Sequence, residues 1–513
     1  MYINYKKNGD AYYAMVVKSV RNGNTVSKEE TIYLGRVIDK EKHIYKNRER
    51  GLYIYNLETN SYDKVPADYI EPEIQHKTKY PTRQALILSF GDVFFMNEFI
   101  KLTKFRDAIN AIGFKNSDTL YALFFYYTLS PHANCHAKDW YDLSYVKFLY
   151  PKAQMSSQRI SEALVDIGSE EAKRNFFSKY LDLLREYNSD NINKKGIDGG
   201  ILIDSSGLPN QIHFPLTAVS NHNGIINEEV RLIYVVDQKS GMPLFFRYIS
   251  GNIIDVSTIT RTISELKSNG VNIQFAILDA GYYTGKNADI LIDSKISFIT
   301  RLKMNLKLYK KIVKDNLSEL EVKENLVIYN KRMIYVKCIP CKIGENEDKD
   351  GYAYLCKDLT MRSELEKHIV EKAMDQNISG EEIFDKLIEQ GIFILISSQK
   401  IENEELLPLY YTRDQVEKIF EICKQDAKIL PLNVENEKTF RGHLMMTFMA
   451  VATFKMLSDK LVNTSLTAES IFMNLHEQHV LVYDDQFITT EPNKKMNAAY
   501  KLFGIDCPIT IPR

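Results

Sequence analysis

The sequence has no long apolar run. Its most apolar windows, Leu120 to Leu129 and Leu444 to Phe454, are too short to span a bilayer, and the opening M-Y-I-N-Y-K-K-N-G-D has no signal-peptide character. A cytoplasmic protein with no membrane partner is therefore expected. An excess of one charge is also missing: 66 Lys+Arg stand against 67 Asp+Glu, a formal charge of −1. That balance excludes a chain-wide basic field, so any surface for nucleic acid must be a local patch. Cysteine is scarce, six in 513 residues, which argues against a disulfide framework. Cys338 and Cys341 form a CxxC with only Cys356 nearby, and the His132, Cys135, His136 cluster has no fourth ligand, so neither reads as a zinc site. His476 and His479 lack the H-E-x-x-H spacing, and Gly281 to Asn287 falls one residue short of a P-loop and lacks its Ser/Thr.

What is present is enough apolar sequence for two to four domains. Residues 1–80 read as a small β module, with aromatic-rich runs at Ala11 to Val20 and Thr31 to Leu34 and a basic run of Lys40, Lys42, Lys46, Arg48 and Arg50. Residues 81–190 read as a helical domain with a candidate DNA-binding role. Apolar residues recur there at three- and four-residue spacing, and Gly168-Ser169 joins two helices in helix-turn-helix outline, a pattern that serves plain packing as well. The polar, Gly-rich stretch Asn188 to Gly200 marks the boundary.

Beyond it, I-L-I-D-S delivers Asp204 at the end of a short buried strand, and Val230 to Val236 with Met242 to Ile249 predict a hairpin. A helix from Asp255 to Lys267, a strand Gln274 to Leu278 ending in Asp279, a helix from Asn287 and a strand Ile296 to Thr300 follow. Strand, strand, strand, helix, strand, helix, strand is the order of an α/β, ribonuclease H-like core. Two carboxylates leaving neighbouring strands repel unless a divalent cation lies between them, and oxygen ligands suit Mg²⁺ or Mn²⁺. A third carboxylate is offered by Y-Y-T-R-D-Q-V-E-K-I-F-E-I-C-K, Tyr410 to Lys424. Thr412 and Gln415 have capping-box spacing, which predicts a helix starting at Arg413. Arg413, Glu417 and Lys424 share one face, opposite Val416, Ile419, Phe420 and Cys423. A solvated salt-bridge stripe would look the same, but a cation in a first helical turn with two tyrosines ahead of it fits an anion site.

Together these residues resemble the DDE transposases of bacterial insertion sequences, in the branch with a Y-x2-R-x3-E-x6-K motif. That motif is Tyr410, Arg413, Glu417 and Lys424 here, beside I-L-I-D-S at Asp204, L-D-A-G-Y-Y-T at Asp279 and S-G-N-x-x-D-x-S-T at Ser250 to Thr258. The resemblance implies a ribonuclease H-like catalytic core at 198–301 and 408–460, a β-rich insertion at 302–407 and a C-terminal tail at 461–513. It implies that Asp204, Asp279 and Glu417 are catalytic and hold two Mg²⁺ (or Mn²⁺) ions. It further implies that Tyr410, Arg413 and Lys424 bind DNA phosphates, with Arg301, Lys303, Arg441 and His443 as further DNA contacts; for the R-G-H-L at Arg441, capping of a Leu444 to Leu457 helix is an equal reading. The partners implied are terminal inverted repeats and a target duplex, acted on by a homodimer in the nucleoid. A nuclease that cuts without joining and a catalytically inactive DNA-binding relative remain open alternatives. Two departures stand out: Ala280 follows the second acid where relatives carry Arg, leaving Lys286 as a substitute, and the single Trp140 lies in the helical region. A stacking aromatic for a flipped base would then have to be Tyr282, Tyr283 or Tyr411.

Overall fold

Tyr, Val and Ile alternating with polar residues through the first sixty positions suit a half-buried antiparallel sheet. In the structure, a computed structural model, they form six strands in meander order: β1 (Tyr2–Asn8), β2 (Ala11–Asn22), β3 (Thr25–Asp39), β4 (Ile44–Asn47), β5 (Gly51–Asn56) and β6 (Ser61–Lys64). Ala14, Val16, Leu34, Tyr45, Tyr53 and Tyr55 make a core of their own, and residues 1–84 and 85–513 are two compact units. Within the first unit, Lys40 lies over the Tyr5 ring and Arg50 over Tyr62, at 4.8 and 4.1 Å. The structure describes residues 1–8, 11–22, 25–66, 69, 86–130, 132–189, 199–210, 216–222, 225–251, 258–361, 390–427, 429–430, 434 and 436–513.

The second unit opens with β7 (Leu86–Ser89) and the helices α1 (Gly91–Leu102), α2 (Phe105–Ala111), α3 (Ser117–Leu129), α4 (Ala137–Asp142), α5 (Val146–Leu149), α6 (Ser157–Ile167) and α7 (Glu170–Ser189). The helix-turn-helix outline of α6 and α7 is a packing unit on its buried side. Phe176, Phe177 and Tyr180 of α7 are fully buried and meet Phe448 at ring separations of 5.0 to 6.1 Å.

Ten strands build the central sheet: β8 (Gly199–Pro209), β9 (Ala218–His222), β10 (Ile225–Asp237), β11 (Pro243–Ser250), β12 (Ile273–Leu278), β13 (Ser297–Arg301), β14 (Leu326–Tyr329), β15 (Arg332–Ile343), β16 (Lys349–Asp358) and β17 (Ile392–Ser397). Their order is β11-β10-β8-β12-β13-β17-β16-β15-β14, with β9 added on β10. β8, β12 and β13 run parallel. Helices α8 (Ile259–Ser268) and α9 (Gly285–Asp293) are the crossovers, and α10 (Lys307–Asn316) leads into β14. Residues 302–407, expected as an inserted subdomain, thus extend the same sheet through pairing of β17 with β13. All six residues of β17 are buried, and a strand covered on both faces needs a neighbour on each edge. Arg362 to Lys372 and Glu381 to Glu389, whose sequences also predict helices, fall outside the described residues, as do most of Ser250 to Thr258 and of Asn188 to Gly200.

The chain then forms α11 (Asn403–Tyr410), α12 (Asp414–Gln425), α13 (Glu437–Leu461), α14 (Ala468–His476), β18 (His479–Val482), β19 (Gln486–Thr489), α15 (Lys494–Phe503) and β20 (Thr510–Pro512). α13 starts at Glu437, with Asn436 as its N-cap, which corrects the expected start near Leu444. Gly442 lies where α13 crosses α6: a Cβ there would stand 1.9 Å from the Leu164 carbonyl oxygen. The C-terminal tail at 461–513 packs onto this unit: β18 pairs with β7 and β19, and β20 closes the four-stranded sheet.

Candidate active site

Parallel register sets Ile203 of β8 beside Leu278, the last residue of β12. Asp204 and Asp279 therefore follow as the next neighbours on adjacent strands. Asp204 is not at a strand end, as expected from sequence. β8 continues to Pro209 because β10 supplies an antiparallel partner along this length, with Tyr234 opposite Asp204. Ser205 donates its backbone N–H to Asp204 Oδ1 at 2.7 Å. Asp279 caps a short turn, accepting from the Gly281 N–H at 3.3 Å, and its carbonyl accepts from Thr300 Oγ1 at 3.1 Å. Neither Ser205 nor Thr300 was singled out in the sequence; Thr300, at the end of an apolar run and fully buried, was the one polar signal on β13 that pointed inward.

α12 brings the third acid. Its buried face of Val416, Ile419, Phe420 and Cys423 is the one expected, and it rests on β10: the Phe420 and Tyr234 rings are 5.3 Å apart, and Tyr234 donates to Cys423 Sγ at 3.6 Å. The capping box is absent. Thr412 Oγ1 donates to the Leu409 carbonyl at 2.7 Å, because α11 runs through a 3-10 turn at Tyr411–Arg413 straight into α12 and Arg413 is already helical, φ −58° and ψ −22°. A capping side chain needs an extended residue at that point.

At the start of α12 the guanidinium of Arg413 gathers all three acids. Nη1 donates to Asp279 Oδ1 at 2.9 Å and Nη2 to Asp204 Oδ2 at 3.2 Å, while Glu417 Oε1 lies 3.5 Å from Nη2. Tyr410, itself buried, accepts from Nη1 at 3.3 Å. Burial alone would lower the Arg413 pKa; Tyr410 and the two aspartates outweigh it and hold it above its ordinary value. Asp204 is raised to about 6, chiefly by burial, with Arg413 opposing and Asp279 adding to the shift. Lys424 Nζ donates to Ser206 Oγ at 2.6 Å. Ser206 lies two residues beyond Asp204 in the same strand, hence on the same face.

The other residues expected at DNA divide. Arg301 and Lys303 are exposed at the end of β13, the strand beside Asp279, with Arg301 over the Phe393 ring at 5.4 Å. Arg441 is committed to Glu437 at 2.8 Å, Glu170 at 3.3 Å and the Tyr248 hydroxyl at 2.6 Å. His443 is buried between the Tyr127 hydroxyl, 3.0 Å away, and the Ile429 carbonyl, 3.3 Å away. His443 therefore has no free surface to offer DNA, which corrects that expectation; the helix that carries it faces the protein core at this point. Of the stacking candidates, Tyr282 is fully buried and one face of Tyr411 is taken by Tyr329, stacked at 5.3 Å.

Residues 198–452 match a protein family described as Transposase DDE domain. That stretch is similar to a transposase DDE domain. All three acids and the whole Tyr410 to Lys424 stretch fall inside it. A solved structure, the cryo-EM synaptic complex of piggyBac transposase with hairpin DNA, is similar over 75% of this chain and 78% of that chain, at 13% identity and a TM-score of 0.38. No curated protein matches the chain.

Among the described residues, no three His, Cys, Asp or Glu side chains close on one point as a ready metal cage; the guanidinium stands between Asp204, Asp279 and Glu417. Their donor set nonetheless fits a hard divalent cation: three carboxylates converge where one positive charge already sits.

Proposed function

We propose that this DDE domain catalyses metal-dependent cleavage of DNA at the ends of a mobile element and joins the freed 3′-hydroxyl to target DNA. The observation that carries the reading is the convergence of Asp204, Asp279 and Glu417, from two strands and a helix, on the single guanidinium of Arg413. The five strands β8, β10, β11, β12 and β13, ordered β11-β10-β8-β12-β13, support a ribonuclease H-like core at 198–301 and 408–460, with 302–407 as its β-rich insertion. In this reading 1–80 is an N-terminal β module, 81–190 a helical domain with a DNA-binding role, and 461–513 a C-terminal segment.

Asp204, Asp279 and Glu417 would hold two Mg²⁺ or Mn²⁺ ions, which when bound activate an attacking oxygen and stabilise a leaving one. The protein's own groups do the rest. Arg413 presents a planar fork suited to phosphate oxygens, and the Tyr410 hydroxyl orients it. Lys424 adds a point charge on the same face. Arg301 and Lys303 extend the positive edge along β13. Thr300 and Gly281 fix the Asp279 backbone and carboxylate before DNA arrives. The DNA partners are terminal inverted repeats and a target duplex, and the acting form is a homodimer.

The test is cleavage of element-end duplex in Mg²⁺. D204N, D279N and E417Q are expected to reduce strand cleavage to background while retaining end binding in a gel-shift assay. Cleavage at wild-type rate by any of the three would remove that residue from the active site.

A further inference from the structure

Arg413 occupies the position that the carboxylates would give to a cation. One guanidinium bonds Asp279 through Nη1 and faces both Asp204 and Glu417 through Nη2, and it is four-fifths buried, with 20% side-chain exposure. It does not reach this place by accident of a long side chain. The 3-10 turn at Tyr411–Arg413 aims it, the Tyr410 hydroxyl accepts from it at 3.3 Å and the Tyr410 ring lies 5.9 Å from it. Tyr411 on the other side of the turn is clamped by Tyr329, stacked at 5.3 Å, and by Arg332, 5.1 Å from its ring. Tyr329 and Arg332 flank a tight hairpin turn in which Asn330 and Lys331 both take left-handed backbone, φ 48° and 63°. Arg332 is in turn paired with the fully buried Asp358 at 3.0 Å. The strands 302–407 thus brace the turn that points Arg413 at the acids.

Three carboxylates around one guanidinium keep the acids together at close range, which bare like charges would resist. The same contacts use the oxygens that a divalent ion needs. Resting on the proposed metal-dependent reading, we propose that Arg413 is a positioning residue: it is a built-in counter-ion that holds Asp204, Asp279 and Glu417 in place and must leave them before divalent cations bind. Metal uptake and release of Arg413 are then one event. The released fork is free for a phosphate oxygen, so metal and DNA each favour the state the other needs.

The test is Mn²⁺ binding by titration calorimetry on the full-length protein without DNA. R413Q removes the competitor and is expected to bind Mn²⁺ at least about tenfold more tightly than wild type. R413K keeps the charge but cannot span three carboxylates, guards against misfolding of R413Q, and is expected to fall between the two. D204N combined with R413Q should lose the gain. Equal Mn²⁺ affinity in wild type, R413Q and R413K, abolished by D204N, would overturn the counter-ion role and leave the metal site standing. No uptake by any of these proteins would overturn both.

Discussion

Individual side chains in this protein divide by what surrounds their charge. Asp204 and His443 are both enclosed, yet one faces a guanidinium and the other a hydroxyl and a carbonyl. Burial lowers the His443 pKa from 6.5 to about 4, so the native state keeps it neutral while the unfolded chain takes up a proton below pH 6.5. Stability is therefore expected to fall as pH drops from 6.5 towards 4, by up to about 3 kcal/mol from this residue. Chemical denaturation of wild type and H443Q at pH 7.5 and pH 4.5 checks it: the gap between the two proteins should narrow at the lower pH, and a constant gap would contradict the assignment. Thr300 offers a second residue-scale test. T300V keeps the volume but removes the hydroxyl that bonds the Asp279 carbonyl, so a stability loss of about 1 kcal/mol is expected, with weaker Mn²⁺ binding. That Asp204, Asp279 and Glu417 come close together was legible because apolar strand cores and a strongly amphipathic helix are local signals. It misassigned His443, since R-G-H-L carries no sign of whether the side chain points to water or into the core.

Among the elements, α12 and α13 show how far local pattern reaches. The buried face of α12 was legible from apolar spacing, but its start was not: the capping-box reading ignores that α11, Pro408 included, feeds the chain in already helical. The Gly in R-G-H-L is explained by helix crossing. Because a Cβ at Gly442 would overlap the Leu164 carbonyl oxygen, G442A is expected to destabilise the protein by about 1 to 3 kcal/mol, read as a lowered thermal midpoint with the metal-binding curve of the folded protein unchanged. The continuity of β17 with β13, and of β18 with β7, was invisible from sequence. Those pairings are decided by which edges remain open once the sheet assembles, and no local window records that.

For the molecule as a whole, a net charge of −1 means that, on the proposed function, DNA affinity would rest on a few local cations. The dependence of end binding on salt should be correspondingly shallow, and each of K303A and K424A is expected to lower the slope of log K against log salt by about 1. R441A should leave the slope unchanged, because its guanidinium is held by Glu437 and Glu170; the reverse ranking would move the DNA track to α13. Among the described residues no helix is long and apolar enough to cross a membrane. The mixed α/β character of the chain was readable in advance from alternating strand and helix periods, whereas the joining of ten strands into one sheet was not. The central claim, that three acids from distant parts of the chain form one cation site, is tested most directly by anomalous diffraction from crystals equilibrated with Mn²⁺. Manganese peaks bonded to the carboxylates of Asp204, Asp279 and Glu417, with Arg413 withdrawn, are the expected result; peaks elsewhere, with Arg413 still paired to both aspartates at saturating Mn²⁺, would contradict it.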